Sequence, residues 1–189
     1  MSATQSSQNS LWQKLGFGAS LLGASSLLLM QSAQAVRLSN GQIAFEQPPH
    51  LVEASASMST PDTPATYYFT LQVPETAGEP LGAIEIELEE GVEDIAFQVD
   101  GTEAFAGKPG EELAALPLAS IGGAAEEGDP IVLAFDSPVA PGSTVTVSLE
   151  AKRNPNSGGI YLFGVTAYPA GEENVGQFLG FGRLRFIAD

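Results

Sequence analysis

Residues 143–168 read STVTVSLEAKRNPNSGGIYLFGVTAY, two runs of alternating apolar and polar side chains joined by a stretch of Asn, Pro, Ser and Gly. Val145, Val147 and Leu149 alternate with Thr144, Thr146 and Ser148. Tyr161, Phe163, Val165 and Ala167 alternate with Leu162, Gly164 and Thr166. Successive side chains of a strand point to opposite faces, so a period of two describes a strand buried on one side. The spacing predicts a strand from Ser143 to Lys152, launched by a turn at Pro141-Gly142. Asn154 to Gly159 then returns the chain as a hairpin into Ile160 to Tyr168, because Asn and Gly tolerate the positive φ such a loop needs.

The same pattern extends in both directions. Tyr67, Phe69, Leu71 and Val73 share one face, with Tyr68, Thr70 and Gln72 on the other. Ile84, Ile86 and Leu88 alternate with Glu85, Glu87 and Glu89. A first strand is expected around Gln42 to Glu46, ended by Gln47-Pro48-Pro49. Ser59 to Pro64, Pro74 to Pro80 and Ser137 to Gly142 carry the Pro, Gly, Asp and Ser of turns. Glu111 to Ile121 has room for one or two helical turns, limited by Pro117. In the last strand Gly180 and Gly182 alternate with Phe181 and Arg183, which points to a bulge or to close backbone approach. About eight or nine strands at this spacing predict an all-β chain, an antiparallel immunoglobulin-like β-sandwich.

The N-terminus has a different grammar. Lys14 is the only charge among residues 1–14, Leu15 to Met30 is apolar or small throughout, and Ala33-Gln34-Ala35 follows. A polar start, an apolar middle and a small-x-small end make a secretory signal peptide over residues 1–35, cleaved between Ala35 and Val36. The alternative is an uncleaved anchor, but the apolar run is shorter than the roughly 20 residues that span a bilayer. Cleavage leaves a single β-sandwich domain over 36–189 with no stable membrane span. The chain has no Cys, so neither a lipid-modified Cys nor a disulfide is available. The destination is outside the cytoplasm: periplasm, thylakoid lumen, cell surface or the medium.

All 23 acidic residues lie after Ala35, against six basic ones, a net charge of −17 for the cleaved chain. Such a surface repels nucleic acid, which is excluded as a partner. Catalytic chemistry finds little purchase. The chain's one His, His50, follows Pro48-Pro49 and reads as a turn-flanking or strand-start residue, and no Ser sits in a G-x-S-x-G elbow. Zinc or copper needs several His, Cys or Met ligands, and only His50 and Met58 lie beyond residue 35. Calcium needs six to eight oxygens; Glu85 to Asp94 and Glu126-Glu127-Gly128-Asp129 are rich in acids without calcium-loop spacing, and read as solvated edges. No catalytic, metal-ligating or cofactor-binding residue is therefore assigned, and no cofactor is expected.

The stretch from Phe135 to Phe186, FDSPVAPGSTVTVSLEAKRNPNSGGIYLFGVTAYPAGEENVGQFLGFGRLRF, preceded by QPPHLVEA from Gln47 and ATYYFTLQVPETAGEPL from Ala65, resembles a cyanobacterial family of exported proteins, domain of unknown function 2808. The resemblance covers essentially the whole chain after the signal peptide. It implies an envelope, lumenal or secreted location and supplies no catalytic residues.

One surface stands out. If alternation holds in the last strand, Leu184 and Phe186 face the core, and Phe181, Arg183 and Arg185 share the outer face. Lys152 and Arg153, beside the Asn154 loop, are expected nearby. A basic and aromatic patch on an acidic domain is a local reversal of field, and Arg and aromatic side chains are frequent interface anchors. The ordinary alternative is that both arginines pair with neighbouring Glu side chains. The reading is an exported, non-catalytic β-sandwich serving as an envelope interaction or structural component, its partner a protein or a polysaccharide. A hydrolase using two carboxylates and a calcium-stabilised structural domain are the alternatives.

Overall fold

The alternation read from the sequence is the alternation of burial in the computed structural model, which describes residues 36–37, 41–111, 114–123 and 128–187. The expected signal peptide, with Ala33 and Ala35 of its cleavage site, lies outside the described residues. In chain order the strands are β1 (Val36–Arg37), β2 (Ile43–Ala44), β3 (His50–Ala56), β4 (Ala65–Gln72), β5 (Leu81–Glu90), β6 (Phe97–Ala106), β7 (Ala114–Ala115), β8 (Leu118–Gly123), β9 (Ile131–Val139), β10 (Thr144–Ala151), β11 (Gly159–Pro169) and β12 (Gln177–Phe186). All strand-to-strand ladders are antiparallel. Among the described residues nine strands have six residues or more, and no helix occurs.

Two five-stranded sheets form the sandwich, in the orders β3-β4-β10-β6-β7 and β12-β11-β5-β9-β8. Three strands of each, β3-β4-β10 facing β12-β11-β5, reproduce the A-B-E and G-F-C arrangement of the immunoglobulin fold. The sandwich is immunoglobulin-like. A separate short pair, β1-β2, lies beside it.

The inward residues of β4, β10 and β11 meet in an aromatic centre. Tyr67, Phe69, Leu71, Val145, Val147, Leu149, Tyr161, Phe163 and Val165 are all buried. Phe163 packs edge-on against Tyr67, Phe69 and Phe97 at ring-centroid distances of 5.9, 5.6 and 6.3 Å. Phe186 joins from β12 against Tyr161 at 5.3 Å. Edge-to-face pairs of this kind contribute about 0.5–1.5 kcal/mol each beyond the burial of their area.

Three local expectations are corrected. The Asn154 to Gly159 stretch is not a hairpin: it carries the chain from β10 in one sheet to β11 in the other. The reason is occupancy, since β10 already has β4 on one edge and β6 on the other, leaving no edge for its successor. Within Glu111 to Ile121 the described residues hold strands β7 and β8 and no helical turn. The backbone there completes sheet edges, with Leu116 N–H donating to Ala104 O and Asp136 N–H to Pro117 O; Pro117 has no N–H to offer a helix. The turn placed at Ser137 to Gly142 is shorter, because β9 runs to Val139. Pro138 is accommodated where the β5–β9 register slips between Leu81 and Ala83, a position at which a strand tolerates proline.

A buried amide fastens the crossing loop. Asn154 is fully buried. Its Nδ2 donates to Met58 O (3.0 Å) and Thr60 O (2.9 Å), and its Oδ1 accepts from the Tyr67 hydroxyl (2.8 Å). Its backbone N–H donates to Thr63 O, and its carbonyl accepts from Asp62 N–H. The loop is held from the other side by the Glu93 carboxylate, which accepts from the N–H groups of Asn156 (3.0 Å) and Ser157 (2.6 Å).

Candidate interaction surface on the last strand

The strand β12 reads QFLGFGRLRF, and strict alternation along it would set Phe178 and Phe181 on opposite faces. The structure sets both outside. The register against β11 shifts between Val165 and Thr166: Val165 faces Gly180, Thr166 faces Phe178, and Leu179 is left without an opposite number. This is a β-bulge, and Gly180 adopts φ +121°, a region that favours glycine. Beyond the bulge the alternation resumes as expected, with Leu184 and Phe186 buried and Phe181, Arg183 and Arg185 exposed. Gly182 serves the other purpose foreseen for these glycines. A Cβ there would come within 2.8 Å of Phe69 Cε1 and 2.9 Å of Ala54 Cβ, so β12 lies tightly on the core.

Phe178 and Phe181 are more than half exposed, at 55% and 53%. Their rings meet edge-to-face, 5.1 Å between centroids at 70°. Phe181 stands opposite Gly164 of β11, where an added Cβ would touch Phe178 Cε2 at 3.3 Å and the Glu89 side chain at 3.0 Å. The absence of a side chain at Gly164 lets the Phe178 ring and the Glu89 stem lean over the sheet from both sides. Further along β11, the Tyr168 hydroxyl donates to Glu85 Oε2 (3.1 Å). Burial first, and the Glu85 carboxylate next, push the Tyr168 hydroxyl up from its usual pKa.

Arg183 and Arg185 stand opposite Leu162 and Ile160. Among the described residues the one ion pair joins Arg153 to Asp62 at 2.7 Å, both exposed. Neither β12 arginine is paired with a Glu there. Lys152 and Arg153 follow β10, in the opposite sheet, and Arg153 is turned to Asp62, so the structure does not gather them onto the β12 face. Phe181 and Arg183 instead border a shallow groove of about 320 Å³ between β12 and β3, whose other wall is Leu51, Val52, Glu53 and Ala54. Val52 is itself 48% exposed. The surface therefore has an apolar centre of Phe178, Phe181 and Val52, with two arginines at one end that are unpaired among the described residues.

His50 opens β3 and is exposed, opposite Gln72. Among the described residues no three His, Asp or Glu side chains converge as a metal site would require. No helix there is long and apolar enough to cross a membrane.

Residues 42–186 match the model of a family described as protein of unknown function (DUF2808). The chain belongs to this family. The DUF2808 match begins one residue before β2 and ends on the last residue of β12, so it includes every strand of both sheets. No curated protein matches the chain in sequence. Among solved structures the chain is similar to ACE19, the collagen binding subdomain of the Enterococcus faecalis surface protein ACE, at 7% identity and a TM-score of 0.42, covering 70% of this chain and 94% of that one. It is similar to the group B streptococcus pilus 2b backbone protein at 12% identity and a TM-score of 0.42, covering 68% and 56%. It is also similar to a chain from the structure of manganese lipoxygenase of Gaeumannomyces graminis with a partial structure of zonadhesin of Komagataella pastoris, at 11% identity and a TM-score of 0.40, covering 69% and 48%. The DUF2808 chain spans about half the length of the last two. Likenesses this distant say nothing about activity or partners.

Proposed function

We propose that this DUF2808 protein is an exported, non-catalytic module that binds another protein outside the cytoplasm through the outer face of β12. The observation that carries the reading is the exposed Phe178–Phe181 pair beside two arginines that have no carboxylate partner among the described residues, on a chain of net charge −16. Exposed aromatics flanked by arginine are the composition of interface hot spots. The ring geometry favours a protein over a polysaccharide. A sugar ring stacks on a flat aromatic platform, whereas these rings stand 70° apart and form a ridge beside a groove. Charge complementarity gives the partner its chemistry: an apolar side chain that packs on Phe181 and Val52, flanked by carboxylates that meet Arg183 and Arg185. Export rests on the polar, apolar and Ala33-Gln34-Ala35 pattern of the N-terminus, and the processed chain is expected to begin at Val36 by N-terminal sequencing.

The test uses the full chain expressed in its native envelope, with a photoreactive residue at Val52. A protein that crosslinks there, and is lost from both Phe178→Ala/Phe181→Ala and Arg183→Gln/Arg185→Gln, supports the reading. Crosslinking unchanged in both variants, or crosslinking to polysaccharide alone, overturns it.

A further inference from the structure

From Glu89 to Ala96 the chain reads EEGVEDIA and passes from β5 to β6, which lies in the other sheet. Val92, in the middle of this turn, is 69% exposed, more than any other large hydrophobic side chain among the described residues. The turn that displays it is fixed. Ile95 is buried in the core. The Glu93 carboxylate accepts from the N–H groups of Asn156 and Ser157. Gly91 lies on the Tyr161 ring, where a Cβ would come within 2.5 Å of Cδ1. With Glu93 engaged there and Glu89 leaning over Gly164, Glu90 and Asp94 are left exposed on either side of Val92. Neither takes part in an ion pair among the described residues. A fixed turn of this kind loses little freedom when it docks.

An apolar side chain flanked by carboxylates is what the β12 face asks of a partner. We propose that the protein occupying that face is a second copy of this chain, its Val92 turn seated in the groove between β3 and β12. The inference rests on the reading of the β12 face given above. Val92 packs on Phe181 and Val52, and Glu90 and Asp94 meet Arg183 and Arg185. Glu53, on the β3 wall of the groove, repels carboxylates and so directs the acids of the turn to the arginine end. Two copies of net charge −16 repel over most of their surface, and the β12 arginines supply the local attraction that overcomes this.

The topology favours a closed pair. Glu90 stands opposite Leu162, and Leu162 opposite Arg183, so the turn leaves the sheet at the arginine end of β12. It does so two strands away, about 10 Å. Within one copy β11 and β12 separate the turn from the groove, which lies on the far side of β12. Between copies one two-fold axis lets each turn enter the other's groove, and the assembly stops at a dimer.

The experiment follows the mass of the protein purified from its native envelope by sedimentation equilibrium. A mass that rises with concentration from one chain to two is expected. Val92→Ser, Glu90→Gln/Asp94→Asn and Arg183→Gln/Arg185→Gln should each weaken the dimer about tenfold or more. All five residues are exposed, so the variants should keep the urea midpoint of the parent. A photoreactive residue at Val92, in a mixture of isotope-labelled and unlabelled copies, should crosslink to β3 or β12 of the other copy. A mass of one chain throughout, a dimer unchanged by Val92→Ser, or crosslinks confined to single copies each overturns the inference. The Val52 crosslink in the envelope separates the two readings. Capture of a different protein, lost from both β12 variants, keeps the reading of the β12 face and overturns the self-pairing; capture of polysaccharide alone overturns both.

Discussion

Replacing Asn154 by Ala should be among the most damaging single changes outside the aromatic centre, and the structure says by how much. The side chain makes three hydrogen bonds, two as donor to Met58 O and Thr60 O and one as acceptor from the Tyr67 hydroxyl. The two losses differ in kind. Met58 and Thr60 lie at the surface, so their carbonyls can turn to water, and each lost bond costs about 1 kcal/mol. Tyr67 is fully buried, so its hydroxyl is orphaned, at about 1–3 kcal/mol. The sum is about 3–5 kcal/mol. Urea unfolding measures it as a fall in midpoint at unchanged slope. The decisive comparison is with the Tyr67→Phe background, where no hydroxyl remains to be orphaned. There Asn154→Ala should cost about 1–3 kcal/mol less than in the parent, a coupling that a double-mutant cycle resolves. A cost below about 1 kcal/mol, or strict additivity in the two backgrounds, would refute the assignment of Asn154 as the fastener of the crossing loop.

Phe163→Ala should cost about 3–5 kcal/mol, since it removes the ring around which Tyr67, Phe69 and Phe97 pack; an unchanged urea midpoint would show the strand phase to be wrong. Gly182→Ala should cost about 1–3 kcal/mol by overpacking against Phe69 and Ala54, which a melting curve reads, with no change expected if β12 can shift outward freely. The Glu93 carboxylate is held below its ordinary value of 4.5 by hydrogen bonding from Ser157 first and Asn156 next. A depressed folded value means that this anchor is complete above the ordinary Glu range and is lost as pH falls through the lower folded value. Normalised hydrogen-exchange protection of the Asn156 and Ser157 amides should therefore drop in acid, and Glu93→Gln should abolish that drop; protection independent of pH in the parent would count against it.

What the sequence revealed follows from which interactions are periodic. The inward faces of β4, β10 and β11 were legible because burial on a strand repeats every second residue, and Tyr67, Phe163 and their neighbours obey it. The outward placement of Phe181, Arg183 and Arg185 followed from the same rule. Pairing was not legible in the same way. Whether Asn154 to Gly159 is a hairpin or a crossing depends on what already flanks β10, and those strands lie far away in the chain. Phe178 was missed as a partner of Phe181 because a bulge breaks the count between them; Gly180 was the available signal. Asn154 reads locally as a turn residue, and its hydrogen bonds to Met58, Thr60 and Tyr67 reach residues 87 or more positions away.

The bulge in β12 makes that strand behave like text with one inserted letter. Upstream and downstream of Leu179-Gly180 the in-and-out frame is intact, but the two frames are offset by a single residue. In relatives whose last strand is one residue shorter at this point, the frames would merge. An outward aromatic pair would then have to stand two positions apart instead of three, and the glycine would no longer be required. The spacing of aromatics before the final R-x-R-F, read alongside the presence or absence of that glycine, would then sort members of the family by which of them keep the ridge.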